Sequence, residues 1–250
     1  MWSAESREDI SVMEELMEEE ILNYEDEKVL TEIPKNKKGV ALYSGGKDSG
    51  LALSIACESA EIVALINCCE QKHPMFHQHD TDLMELQSQS LKIPIVYSNG
   101  HWKESTEIEG LLKKYKSQGV EFVVFGDICS IKNANRKIKL CKDVGLIPCM
   151  PLWNKTYDWL FEEMKKRNLK CLLSSVRPQI KDFVGKILDD EIYEKFKKME
   201  INSFGEMGEF HSTLLDLDIF EFPIKYEIKS VYKCEDKFGE KWEINAKYSK

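Results

Sequence analysis

Short apolar runs and amphipathic stretches take turns between residues 39 and 145. Gly39–Tyr43 is mostly apolar and reads as a strand, and Asp48–Ser59 has helical spacing. Glu61–Cys68 (EIVALINC) is a run of the kind buried on both faces of a sheet. Asp80–Leu91 follows as a helix, Ile93–Tyr97 as a strand and His101–Gln118 as a helix. Glu121–Phe125 (EFVVF) is a second buried run, and Lys132–Val144 is a helix that Gly145 closes. Strands alternating with helices of this length predict an α/β fold, a doubly wound parallel sheet covered on both faces.

The pattern loosens past Pro148 and Pro151. Tyr157–Arg167 and Asp190–Met199 are helical, and Lys170–Ser175 is a strand. Strands dominate from Phe210 on, and IKYEIKSVYKC and KWEINAKYS, separated by Glu235–Glu240, form a hairpin. The expected organisation is an acidic extension and linker over 1–37, a nucleotide-type domain over 38–153, and a smaller C-terminal α+β domain over 154–250. Val12, Met13, Leu16, Met17, Ile21 and Tyr24 recur at helical spacing in the extension, where Ser11 and Glu14 suit a capping box. Pro34 and the run Lys35–Lys38 read as the linker.

Charge changes the picture in one respect. The chain has a net charge of −9, but residues 1–28 alone hold eleven acidic and two basic residues. The remaining 222 residues balance, with 33 of each sign. That balance argues against a nucleic-acid partner for the body. No apolar run reaches the roughly 20 residues that cross a bilayer, and the N-terminus lacks the regions of a signal peptide, so a cytoplasmic location is expected. The eight cysteines are scattered, without a Cys-x-x-Cys pair, and read as free thiols.

The candidate chemistry lies at VALYSGGKDSG, residues 40–50, where a strand runs into Ser-Gly-Gly-Lys-Asp-Ser and then a helix. Glycines let a phosphate approach the backbone. The amides and dipole of a helix N-terminus favour an anion there. Lys47 adds a positive charge, Asp48 suits Mg²⁺ that bridges phosphates, and Ser44 and Ser49 offer hydroxyls. The spacing is neither a Walker loop nor GxGxxG.

The loop resembles that of the ATP pyrophosphatase superfamily, whose members cleave ATP between the α and β phosphates. Two further stretches resemble the diphthine–ammonia ligase family within it. One is GDICSIKNANRKIKLCKDVGLIPCMPLW, residues 126–153; the other is GEMGEFHSTLLD, residues 205–216. The likeness runs from about residue 38 to 224. It departs from the family pattern at Met207 (a glycine there), His211 (a glutamate) and Ser212 (a threonine). These departures resemble a related branch.

The resemblance implies an ATP-dependent ligase that adenylates a carboxylate, releases pyrophosphate and transfers ammonia. ATP, Mg²⁺, ammonium and a carboxylate acceptor, such as diphthine on elongation factor 2, are the implied partners; a homodimer stays open. Ser44, Gly45, Gly46, Lys47, Asp48 and Ser49 would hold the phosphates, with Asp48 at the metal. Gly126, Asp127 and Arg136 would lie near the nucleotide. Lys47 and Asp48 would act on ATP, and Glu206, Glu209 and His211 would face the acceptor. Two other readings share the loop: a tRNA-modifying enzyme of the same superfamily, and an ATP-binding sensor without catalysis. His73, His77, His79 and Asp80 raise a metal cluster, but HxxxHxH is not a strong zinc spacing, and a lid over the ATP site accounts for them as well.

Overall fold

The structure is a computed structural model and describes residues 30–69, 81–99 and 106–250. The acidic extension through residue 29, and His73, His77, His79 and Asp80, lie outside the described residues.

Five strands form the first sheet: β1 (Lys38–Leu42), β2 (Glu61–Cys69), β3 (Ile95–Asn99), β4 (Phe122–Val124) and β5 (Ile147–Cys149). Their order is β3-β2-β1-β4-β5 and every pairing is parallel. Four helices connect them: α1 (Lys47–Cys57), α2 (Thr81–Leu91), α3 (Thr106–Ser117) and α4 (Ile131–Val144). Alternate residues of β1 explain the double cover. Ala41 joins a core with Leu51 and Leu53 of α1 and Met84 of α2, while Val40 packs with Ile108 and Leu112 of α3 and Ala134 and Ile138 of α4. Successive side chains of a strand point to opposite faces, so helices are needed on both.

Two local features differ from the sequence reading. β5 is a strand although Pro148 sits at its centre. It occupies the sheet edge, where a residue without an N–H is tolerated. Residues 34–37 are a turn rather than a loose linker. Asn36 adopts φ +57° and donates its N–H to Ser59 O at 2.7 Å, and Lys38 already opens β1. Leu30 is buried in the second core layer, and its carbonyl accepts from Met150 N.

The C-terminal half is an antiparallel sheet of β6 (Lys170–Val176), β7 (Phe210–Asp216), β8 (Lys225–Asp236) and β9 (Gly239–Ser249), in the order β7-β6-β9-β8. Helices α5 (Tyr157–Lys166) and α6 (Asp190–Lys198) cover it. Both begin at side-chain caps: Thr156 accepts from Trp159 N, and Asp189 from Ile192 N. The hairpin turn is tighter than expected, with Lys237 and Phe238 alone between β8 and β9.

The two halves share one apolar core, which joins Leu51 and Leu53 to Phe196, Phe204, Phe210 and Leu214. Helix α1 packs against β7 so closely that a Cβ on Gly50 would lie 2.6 Å from Leu214 Cδ2. Leu214 N also donates to Gly45 O at 2.9 Å, and Gln87 Nε2 of α2 donates to both Gly45 O and Leu214 O. The loop after β1 is thus sewn to the C-terminal sheet.

Gly126, after β4, touches the first turn of α1. A Cβ there would meet Asp48 C and Ser49 N at 2.8 Å, both backbone atoms that cannot rotate away. Gly126→Ala should therefore destabilise the protein by about 1–3 kcal/mol, as overpacking does. Calorimetry should show a melting temperature several degrees lower, with the loss greater than for alanine at Gly110, where a Cβ meets nothing within 4 Å.

Candidate active site

β1 and β4 are neighbours, yet α1 after β1 and α4 after β4 cover opposite faces. In open α/β sheets such a reversal leaves a crevice at the carboxyl ends of the strands, where ligands bind. Ser44–Ser49 and Gly126–Asp127 both emerge there.

The loop holds its own shape. Gly46 is the N-cap of α1, and its carbonyl accepts from Gly50 N and from Ser49 Oγ. Ser49 Oγ in turn accepts from Ser44 N, and the two serine hydroxyls are 3.1 Å apart. Lys47 does not extend into solvent; only 3% of it is exposed. Its Nζ lies 2.8 Å from both Asp48 carboxylate oxygens and 4.1 Å from the centroid of the Phe204 ring. A buried ammonium needs such compensation. Lys47 N donates to Ser212 Oγ at 3.2 Å, so a hydroxyl of the C-terminal sheet satisfies an amide at the start of α1.

Segment 205–212 faces that loop. Gly205 and Gly208 sit at φ +80° and +84°, a conformation that favours glycine. Met207 is not at positive φ, and its side chain stands 82% exposed, so methionine fits where the family has glycine. The two glutamates differ. Glu209 is engaged by the backbone: Oε1 accepts from Asn202 N at 3.2 Å and Oε2 from Met207 N at 3.0 Å. Glu206 instead has its carboxyl pushed up to about 7, first by burial and then by the charge of Asp48, against the opposing pull of Lys47. Asp127 and Glu209 add smaller contributions upward.

A cavity of about 260 Å³ lies between the two segments. Ser44, Gly46, Lys47 and Asp48 line one side, and Gly205, Glu206, Gly208, Phe210, His211 and Ser212 the other. The structure thus brings six of the sequence-derived candidates, Ser44, Gly46, Lys47, Asp48, Glu206 and His211, to one wall or the other. Gly45 and Ser49 shape the loop behind it, and Glu209 holds the turn opposite.

Asp127 and Arg136 are placed differently. Asp127 is buried in an ion pair with Lys137, whose Nζ also lies over the Phe125 ring. Arg136, one residue earlier, is exposed on α4. Sequence reasoning missed Lys137, Asn202, Phe204 and the role of Ser212. Asn202 organises the turn by accepting from Phe204 N and Glu206 N through Oδ1. Asn-Ser-Phe-Gly carries the signal of such a turn. Phe204 reads from sequence as core only.

The donors suit Mg²⁺ in the form it takes with phosphates. Asp48 is partly exposed toward the cavity, and among the described residues no group of three or more His, Cys, Asp or Glu is gathered to hold a metal. Mg²⁺ commonly takes one or two carboxylates and completes its shell with phosphate and water. Among the described residues no helix is long and apolar enough to cross a membrane.

A loop of the phosphate-binding kind at a switch point, closed by a glutamate-bearing turn, defines a nucleotide-dependent enzyme site. Two family models match the chain: the diphthamide synthase N-terminal domain over residues 37–148 and the diphthamide synthase C-terminal domain over residues 156–248. The second extends through the hairpin, past the likeness visible in the sequence. Among curated proteins, the mouse diphthine–ammonia ligase is 26% identical over 212 residues, covering 72% of this chain and 79% of its own. The human enzyme of the same name is 27% identical over 213 residues with the same coverage. That of Schizosaccharomyces pombe is 27% identical over 227 residues, 78% of this chain and 37% of its own length. The chain belongs to the diphthamide synthase family and is an ATP-dependent ligase of that kind.

The Glu206 environment has a consequence for stability. Its carboxyl is raised from 4.5 to about 7 in the folded protein. The folded state therefore holds a proton that the unfolded state releases. This contribution to stability is present in full below about pH 4.5 and is lost as pH rises through 7. Glu206→Gln should raise the melting temperature at pH 8 relative to the parent, and the difference should shrink toward pH 5. Thermal scans across that range measure it.

Proposed function

We propose that this protein converts a carboxylate to an amide in two steps, the carboxylate being diphthine on elongation factor 2. An acceptor carboxylate oxygen attacks the α-phosphorus of ATP. The bond from that phosphorus to the bridging oxygen breaks, and pyrophosphate leaves. Ammonia then attacks the acyl carbon, AMP departs, and nitrogen gives up a proton. The observation that carries this reading is the single cavity in which Lys47 and Asp48 face Glu206 and His211.

Each residue has a part in it. Ser44, Gly46 and the start of α1 receive the phosphates, and Lys47 balances their charge from its slot over Phe204. Mg²⁺, when bound at Asp48, would offset further negative charge on the phosphates. Glu206 takes the proton from the attacking nitrogen. A carboxyl that titrates at about 7 suits that task better than an ordinary one, since a general base works best near the operating pH. Glu209 keeps the turn in shape, and His211 borders the acceptor. Asp127, held by Lys137, backs the site from the β4 loop. The family names support diphthine as the acceptor and ammonia as the donor. A cytoplasmic location fits an acceptor on an elongation factor.

With ATP, Mg²⁺, ammonium and elongation factor 2 carrying diphthine, the products should be AMP and pyrophosphate in step with amide. ADP and phosphate would overturn the reading. Asp48→Ala should abolish ATP turnover, and it should lower the melting temperature as well, because it leaves the buried Lys47 ammonium without the carboxylate that compensates it. Glu206→Gln should retain ATP affinity but lower amide formation roughly a hundredfold or more, as expected for lost proton transfer. Normal amide yield from Glu206→Gln would remove it from the mechanism.

A further inference from the structure

We infer that Arg177 is a positioning residue for the amide-forming half of the reaction, clamping the turn that carries Glu206 to the tip of the β8–β9 hairpin. It follows β6 directly, and its N–H donates to Glu209 O at 2.8 Å, extending the β6–β7 ladder into the turn. Its guanidinium uses all three nitrogens. Nε donates to Gly208 O at 3.2 Å, and Nη1 donates to Gly239 O and Glu240 O at 3.0 and 3.1 Å. Nη2 donates to both carboxylate oxygens of Asp236, at 3.1 and 3.0 Å.

Asp236 is the anchor of this arrangement. Its side chain is 3% exposed, and it also accepts from Phe238 N at 2.8 Å. A buried carboxylate this well bonded holds the guanidinium in place, with Nη2 alone reaching both of its oxygens. The remaining donors must then lie where Gly208 O and the hairpin carbonyls lie. Gly208 lines the cavity two residues from Glu206. Arg177 itself is not part of the cavity wall, so it acts on the reaction only through that turn.

Lysine cannot replace it. An ammonium offers charge to Asp236 but no planar fork, so it cannot reach Gly208, the hairpin carbonyls and Asp236 together. The phosphate loop is held separately, by Ser212 and Leu214 further along β7. Loss of the clamp should therefore spare ATP binding and disturb the second step. An acyl adenylate formed beside a displaced turn loses AMP to water rather than to ammonia. This inference rests on the two-step reading above.

The test compares the parent with Arg177→Lys and with the double variant Arg177→Met/Asp236→Asn, which leaves no buried charge unpaired. Three quantities are measured: KM for ATP, pyrophosphate released, and amide formed on elongation factor 2 carrying diphthine. KM for ATP should stay within twofold, and kcat for amide should fall tenfold or more. Pyrophosphate per amide should rise severalfold as adenylate is lost to water. Parallel decline of pyrophosphate and amide together with melting temperature, in both variants, would make Arg177 merely structural and overturn the inference. Unchanged amide kcat in either variant would overturn it as well. Failure of the two-step reading would look different, since the parent itself would then give no AMP and pyrophosphate.

Discussion

The ammonium of Lys47 is the point on which the site turns. It is nearly withdrawn from water, and the cost of that burial is offset from two directions. Asp48, its chain neighbour, contributes both carboxylate oxygens, and Phe204 contributes a ring face from 157 residues further along. The first partner is local and comes with the motif. The second exists only if the C-terminal half is folded against the first. The same dependence recurs at the backbone, where Ser212 caps Lys47 N and Leu214 bonds Gly45 O. A loop that could hold phosphate alone in principle is here completed by another sheet.

That dependence explains what the sequence could disclose. The parallel sheet was legible because its signals are local: apolar runs of strand length between helices, and Gly145 in a left-handed C-cap where the pattern ended. The SGGKDS loop was legible because each residue type in it has a reason near phosphate. The meeting of residues 44–48 with 205–212 was not, since 157 or more residues separate them and no periodicity encodes it. Packing carries that information, in Gly50 against Leu214 and in the shared core. β5 went unseen because Pro148 argues against a strand unless its edge position is known.

Glu206 and Glu209 show a finer limit. They are the same residue type three positions apart, flanked by the same glycines, and sequence gave no ground to separate them. The fold does so through hydrogen bonds. Two backbone amides hold the Glu209 carboxylate in place. Glu206 is half-buried near the charge of Asp48, and desolvation together with that charge raises its carboxyl. Asp127 and Arg136 teach the complementary lesson: Lys137, not Arg136, occupies the position beside Asp127. On a helix, one residue changes the direction of a side chain by about 100°, so adjacent cations meet different surroundings.

Charge within the cavity also bears on the order of events. Lys47 is matched by Asp48, and Asp127 by Lys137, so Glu206 borders a site with no excess of positive charge. Under the proposed mechanism, phosphates arriving beside Asp48 would push Glu206 further toward its protonated form, in which it cannot accept a proton. A divalent cation arriving with the phosphates opposes that shift, and departure of pyrophosphate removes its cause. The carboxylate would then regain its charge after adenylation, at the step in which ammonia attacks. A carboxyl that is protonated while ATP is intact and free to accept a proton once pyrophosphate has gone fits a two-step ligase, because proton transfer belongs only to the second step.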